Sequence, residues 1–433
     1  MTQASKLRKG ILIGLFLFMA IYRSLYIFGI HGVDCPSNWL TPVGPCNWTT
    51  VAFELLLWGG VCILFLLELL WGHEFRLLFE GSKKVWPVFL FVFYAVLSLT
   101  WSILFSVTFY KVFVLFASTI LAVYMGRLLG EERFLNACAW FFAIVCVASL
   151  GFVLLLPQYG IMSDPFYHGA WNGIFWHRNY LGCFMALASA IFLIKILAWK
   201  SLSRSGKWLN PAMLLLAVSL LVKSKSATGI LTVAVLVGLC LLLAAWLHWG
   251  RDLKPKHYYV IGGIAVAVIV LICVRLDFIL GLLGRNTSLT GRVPMWSYLL
   301  QNVISRRPIL GYGYGAIWNL EGFRAQLAAT LGWSSQVVIG DNGLMDIGLH
   351  LGIIGVVLMA TLIVAGLVRA AKYFLRERTM FSALPMLLLV FVVVANISLS
   401  LILESETFIW AIVVASQVAI TDQPQRVKAN PAL

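Results

Sequence analysis

At 433 residues the chain is long enough for two or three soluble domains, but 61% hydrophobic residues against 11% charged excludes an ordinary soluble core. Apolar runs of roughly the 20 residues needed to cross a bilayer recur from end to end, separated by polar breaks too short to fold alone. A net charge of +15 then reflects the basic residues that inserting helices retain on the cytoplasmic side, and says little about nucleic acid.

Taken in chain order, spans are expected at 11–31, 51–71, 85–105, 109–129, 134–156, 179–198, 209–222, 229–248, 258–275, 347–369, 384–403 and 406–421. This defines an all-α polytopic membrane protein of about twelve transmembrane helices with one large periplasmic loop. The expected divisions are an N-terminal membrane bundle (1–275), the loop (276–346), C-terminal spans (347–421) and a tail (422–433). The first span follows Lys6, Arg8 and Lys9 and is too long for a removable signal, so it is read as an anchor. With both termini cytoplasmic, Arg76/Lys83/Lys84, Lys200/Arg204/Lys207, Arg251/Lys254/Lys256 and Arg369/Lys372/Arg376/Arg378 all fall inside. The expected location is a bacterial inner membrane, crossed many times.

In the first external loop Cys35 and Cys46 lie together in a polar segment, where an oxidising compartment allows a disulfide; the alternative is two free thiols. The other six of the 8 cysteines are scattered, mostly within spans, where a thiol acts as a small apolar group. At the start of the sixth span stands Trp176-His177-Arg178-Asn179. Lys223-Ser224-Lys225 forms a second external basic spot, against the usual charge asymmetry, and is the weaker candidate for an anionic partner.

Between the ninth and tenth spans the chain spends about 70 residues outside the bilayer, a length that usually carries function. Within it, 294–304 places Met295, Trp296, Leu299, Leu300, Val303 and Ile304 at helical spacing, with Thr290 as an expected cap and Arg306-Arg307-Pro308 as the stop. Gly311-Tyr312-Gly313-Tyr314-Gly315 follows, suited to an aromatic-lined turn, and then Trp318 and Trp333. Such rings beside polar groups serve sugar faces and lipid headgroups equally. The loop also supplies Arg285, Arg292, Arg306, Arg307 and Arg324, and an arginine offers phosphate oxygens a planar fork of donors at any working pH. Some of these arginines have competing partners in lipid headgroups, Asp277 or Glu321.

Asp341-Asn342-Gly343 precedes the tenth span, where Asp341 reads as a helix cap or as a general base; the two roles can coexist. Asp346 and His350, four apart, share a helix face and can bond to each other. Glu404 and Glu406 return acidic groups to the external face, where pairing with arginines is their expected work. There is no Gly-rich phosphate loop, two-cysteine zinc spacing, His-Glu-x-x-His or Asp-x-Asp pair, which disfavours a metal-dependent nucleotide-sugar enzyme.

Ser288-Leu289-Thr290-Gly291-Arg292-Val293-Pro294-Met295-Trp296, followed by Arg307-Pro308-Ile309-Leu310-Gly311-Tyr312-Gly313-Tyr314-Gly315, resembles the external loop of the O-antigen ligase and Wzy-type polysaccharide polymerase superfamily. Gly173-Ile174-Phe175-Trp176-His177-Arg178-Asn179-Tyr180-Leu181-Gly182 is similar to the Gly-x-Phe-x-His-Lys-Asn-x-Leu-Gly of its succinoglycan-type exopolysaccharide polymerases, with Arg178 in place of Lys. Asp341-Asn342-Gly343 stands where the family has His-Asn-Gly. The resemblance implies an inverting glycosyl transfer at the periplasmic face, with no metal or cofactor and with undecaprenyl pyrophosphate as leaving group. Carried onto this chain, it assigns Arg178 and Arg292 to the pyrophosphate, Arg307 as a further contact and Asp341 as base, with His177 or Asp346 as alternative bases. Tyr312, Tyr314 and Trp318 shape the sugar cleft, and Glu404 orients the arginines.

The expected partners are a polyprenyl-pyrophosphate-linked oligosaccharide and membrane lipid, with a chain-length regulator and a flippase as further candidates and no nucleic acid. Polymerisation onto the next lipid-linked repeat unit is the leading reading; transfer to lipid A core as a ligase is the alternative. A flippase or secondary transporter would show related halves and charges at span centres, and Arg23, Lys111 and Lys195 give this little support.

Overall fold

The computed structural model describes residues 85–163, 167–249, 292–333, 339–401 and 408–420, with a few positions between 56 and 63. These are helical with connecting turns, and contain no strand beyond the isolated bridge between Ile161 and Trp171. Helix α1 (Trp86–Leu97) continues into a 3-10 turn over Ser98–Thr100. A long helical stretch follows, divided at Gly130 (φ 62°) into α2 (Phe105–Arg127) and α3 (Leu129–Leu155). Then come α4 (Arg178–Leu197), α5 (Arg204–Lys223), α6 (Ala227–Trp249), α7 (Arg292–Tyr298), α8 (Glu321–Leu331), α9 (Gly343–Glu377), α10 (Leu384–Ala395) and α11 (Phe408–Ala419).

Among the described residues six helices, α2–α6 and α9, are long and apolar enough to cross a membrane, and α1, α10 and α11 are shorter apolar helices. They fall on nine of the expected spans. The expected spans 11–31 and 258–275 lie outside the described residues, as do Cys35, Cys46, Thr290 and most of 51–71.

Helix α4 occupies the centre, buried along nearly its whole length, because α5 and α6 flank it and α3 and α10 close the remaining sides. Its small residues allow that approach: a side chain at Gly229 of α6 would meet the Gly182 backbone of α4 at 2.7–2.9 Å. The crossing fixes the start of α6 beside the start of α4. There Ser226 donates to Asn179 Oδ1 (3.1 Å) and accepts from Gly229 N (3.1 Å).

The expected tenth span, 347–369, lies within α9, and the structure adds a break inside it. Gly352 adopts φ 63°, ψ −164°, splitting off a first segment from Gly343 to Leu351. Apolar sequence runs through the break without interruption, so hydropathy cannot see it. The break admits the Ile309–Gly313 strand of chain: Tyr312 N and Gly313 N donate to Leu349 O and His350 O (both 2.9 Å), and Ile353 N donates to Pro308 O (2.8 Å). A Cβ at Gly352 would strike the Ile309 carbonyl, in a conformation L-residues rarely adopt. Gly352→Ala is expected to cost at least about 1–3 kcal/mol, read as lower membrane abundance and a lower unfolding temperature in detergent. Gly322→Ala is the control, since nothing lies within 4 Å of that Cβ position on α8.

Candidate functional site

The start of α4 is built by His177 and Arg178. His177 caps the helix, its Nδ1 accepting from Asn179 N at 3.2 Å. In a neutral ring this puts the hydrogen on Nε2, which makes that atom a donor and argues against His177 as the base. Arg178 is 3% exposed. Its guanidinium donates to Lys225 O at 2.5 Å and lies 4.5 Å from the Tyr167 ring centre, while its buried Nε has no hydrogen-bond partner.

The segment after residue 291 carries its own small core. Met295, Leu299 and Val303 repeat every four residues along α7 and the π-turn over Leu299–Val303, and they pack with Ile317, Trp318, Leu327, Ala328 and Leu349. The amphipathic helix read from the sequence is therefore present, begun at Arg292 and with Leu300 turned outward (51% exposed).

At the start of α7 the Arg292 Nε donates to Asp341 Oδ2 at 2.9 Å, an ion pair with side chains 11% and 31% exposed. One helical turn on, Trp296 Nε1 donates to Gly340 O at 2.7 Å. The same short helix thus grips Asp341 by its carboxylate and by the preceding peptide. Burial pushes the Asp341 carboxyl above the usual carboxylate range, and the charge and hydrogen bond of Arg292 pull it back down.

The capping reading of Asp341 is corrected. Asn342 is the cap of α9: its Oδ1 accepts from Leu344 N (3.1 Å) and Met345 N (3.0 Å). Asp341 sits one residue earlier at φ 50°, in the left-handed region, with its side chain turned to Arg292. Asn342 Nδ2 in turn reaches Ile397 O (3.2 Å), and Gly343 N reaches Asn396 O (2.9 Å). Ser398 then meets Thr228 at the start of α6 at 2.5 Å.

Asp346 and His350 do not bond to each other. Asp346, 1% exposed, accepts from Trp318 Nε1 (2.8 Å), Gly340 N (3.2 Å) and the Ser400 hydroxyl. A buried carboxylate that accepts three hydrogen bonds from three separate segments holds structure. Both ring nitrogens of His350 are buried without a hydrogen-bond partner, and its ring stands edge-on to Tyr314.

The glycine-tyrosine run is an irregular segment docked on the break in α9. Gly311, Gly313 and Gly315 all have positive φ (68°, 102° and 74°). Tyr314 and Trp318 are 1% and 5% exposed, so they lie inside the packing and not on an open cleft. Tyr312 is half-buried, donates its hydroxyl to Val303 O (2.8 Å) and carries the exposed Arg307 guanidinium 5.2 Å from its ring centre. Among the described residues no bond joins Arg178 or Arg307 to the Arg292–Asp341 pair. Glu404 lies outside the described residues.

Sequence reasoning missed Trp296 and Ser400. In the sequence Trp296 stands as an apolar helix position and as the end of the resembling motif, neither of which signals its bond to Gly340, and a serine in an apolar run carries no signal of its own.

Over the described residues these features define an all-helical, multi-pass membrane protein in which the 292–333 segment packs against the first part of α9. Residues 212–360 match the family model described as O-Antigen ligase, a range that contains α7, α8, Asp341 and the Gly352 break. Over 217 residues the chain is 30% identical to the exopolysaccharide production protein ExoQ of Rhizobium meliloti, a match covering 47% of this chain and 48% of that protein. The chain thus spans about half the length of the curated relative it matches, and over that half the resemblance to the O-antigen ligase and Wzy-type superfamily holds.

Proposed function

We propose that this protein is a bacterial polysaccharide polymerase, acting at the periplasmic face of the inner membrane. It moves a glycan from undecaprenyl pyrophosphate onto the next lipid-linked repeat unit, without a metal and with inversion. The observation that carries the reading is the Arg292–Asp341 ion pair, which sets a fixed cation and a carboxylate side by side where the 292–333 segment meets α9. Pyrophosphate is a good leaving group that needs charge neutralisation more than protonation, and a sugar hydroxyl needs a base.

In the reaction the acceptor hydroxyl oxygen bonds to the anomeric carbon from the face opposite the pyrophosphate. The carbon–oxygen bond to pyrophosphate breaks, its electron pair leaving with the phosphate. Asp341 takes the hydroxyl proton and later returns it to water. The guanidinium of Arg292 bonds to Asp341 through Nε, which leaves its two terminal nitrogens for phosphate oxygens. Arg178 adds fixed charge from the start of α4, beside His177, and Arg307 with Tyr312 offers an exposed cation and ring to the glycan. Tyr314 and Trp318 back that surface from inside the packing, and Glu404 pairs with the arginines.

The test is the purified protein in lipid discs with undecaprenyl-pyrophosphate-linked repeat units. The expected product is a ladder of regular spacing, unchanged by a chelator. The description of the matching family favours a ligase as the second reading; transfer to lipid A core with no ladder would establish it and remove the polymerase.

A further inference from the structure

We propose that Asp346 is the positioning residue of this site: its buried carboxylate, bonded to Gly340 N, Trp318 Nε1 and the Ser400 hydroxyl, holds the backbone that presents Asp341 to its substrate. The inference rests on the reading of Asp341 as the base.

Asp341 lies in the left-handed region at φ 50°, a conformation that a non-glycine residue keeps only when its surroundings fix it. The neighbouring peptides show what fixes it. Gly340 is held on both sides, its N–H by Asp346 Oδ1 at 3.2 Å and its carbonyl by Trp296 Nε1 at 2.7 Å. Beyond Asp341, the Asn342 side chain caps α9 and Gly343 N bonds to Asn396 O. The backbone before and after Asp341 is thereby tied to three separate elements.

Asp346 is the group that joins them. One carboxylate oxygen takes Trp318 and Gly340, and the other takes Ser400. Trp318 belongs to the core that α7 shares with α8, and Ser400 precedes α11. Asp346 therefore ties the turn carrying Asp341 to the 292–333 segment on one side and to the connection between α10 and α11 on the other. Its own backbone is set within α9, with Asp346 N bonded to Asn342 O at 3.0 Å. At 1% exposure and six residues from Gly340, the carboxylate touches the turn and leaves the substrate to Asp341. Removing it would leave three buried donors without an acceptor, and the turn would be free to leave the left-handed region.

The experiment compares Asp346→Ala, Asp346→Asn, Ser400→Ala and Asp341→Asn in lipid discs by two measurements. One is amide hydrogen exchange over the peptide 339–346. The other is the polymerisation rate with lipid-linked repeat units, split into kcat and KM. Asp346→Ala should raise exchange across 339–342 at least tenfold and lower kcat ten- to a hundredfold, with KM for the donor moving less than threefold. Asp346→Asn can still accept from Gly340 N and Trp318, so it should recover at least a third of the lost rate. If Asp346→Ala does not insert, Ser400→Ala removes one of the three bonds and should show the same two changes at smaller size. Unchanged exchange over 339–342 overturns the positioning role whatever the reaction. Raised exchange with a wild-type kcat, while Asp341→Asn is inactive, overturns it and leaves Asp341 as base. A fully active Asp341→Asn overturns the base, and the positioning role with it.

Discussion

Asp341→Asn is expected to cut polymer formation by about a hundredfold or more, the loss that goes with removal of a general base, while the protein inserts and binds its donor nearly as before. The structure makes this a clean substitution. Asparagine tolerates the left-handed region better than most residues, so φ 50° is retained. The cap of α9 belongs to Asn342 and is untouched. What changes is the proton acceptor and the charge opposite Arg292. Radiolabelled repeat units in lipid discs give the rate, and donor binding is measured separately on the same preparation. Asp341→His, which restores the residue of the resembling family, should keep measurable activity. A normal rate from Asp341→Asn would show that Asp341 serves only to hold Arg292.

The same pair gives a pH dependence whose sign is fixed. A base works in its deprotonated form, so activity falls as pH drops through the carboxyl's pKa. Burial raises that pKa, placing the acid limb of the rate profile above the usual carboxylate range, and Arg292 limits the rise. Weakening the pair therefore moves the acid limb to higher pH.

The nine spans on which the described helices fall were readable because a bilayer demands long apolar runs whatever the packing, and hydropathy reports that demand directly. The break at Gly352 was not, since Leu351, Ile353 and Ile354 around it are as apolar as a continuous helix would have. Arg292 and Asp341 could each be singled out by type and motif. Their contact could not, because 49 residues separate them and the folding of the segment between them decides whether they meet. The confusion of Asp341 with Asn342 has a simple cause: aspartate and asparagine cap helices about equally well, and only the backbone angles distinguish the capping residue from its neighbour. Tyr314 and Trp318 suited a sugar cleft by chemistry. Their burial follows from the strand of glycines being threaded between the turn after α1 and the break in α9, where Ile103 N bonds to Tyr312 O (3.1 Å) and Tyr314 N to Ser98 Oγ (3.1 Å). That pairing of distant segments has no local signature.

Arg292→Lys is expected to lose most polymer formation at unchanged membrane abundance, because the position asks one side chain for two contacts at an angle. The Nε of Arg292 is committed to Asp341 at 2.9 Å, and the two terminal nitrogens extend beyond it from the same rigid plane. A lysine ammonium is a single point of charge. It can sit against Asp341 or against a phosphate oxygen, and in serving one it leaves the other. Lysine retains the positive charge that lowers the Asp341 pKa, so the acid limb should move little in Arg292→Lys. Arg292→Ala removes charge and hydrogen bond together, and its acid limb should move to higher pH as its rate falls further. A rate difference between lysine and arginine with a common pH profile isolates the geometry of the guanidinium from its charge. Wild-type polymer yield from Arg292→Lys, at equal abundance, would remove Arg292 from the phosphate site and leave it as the electrostatic partner of Asp341 alone.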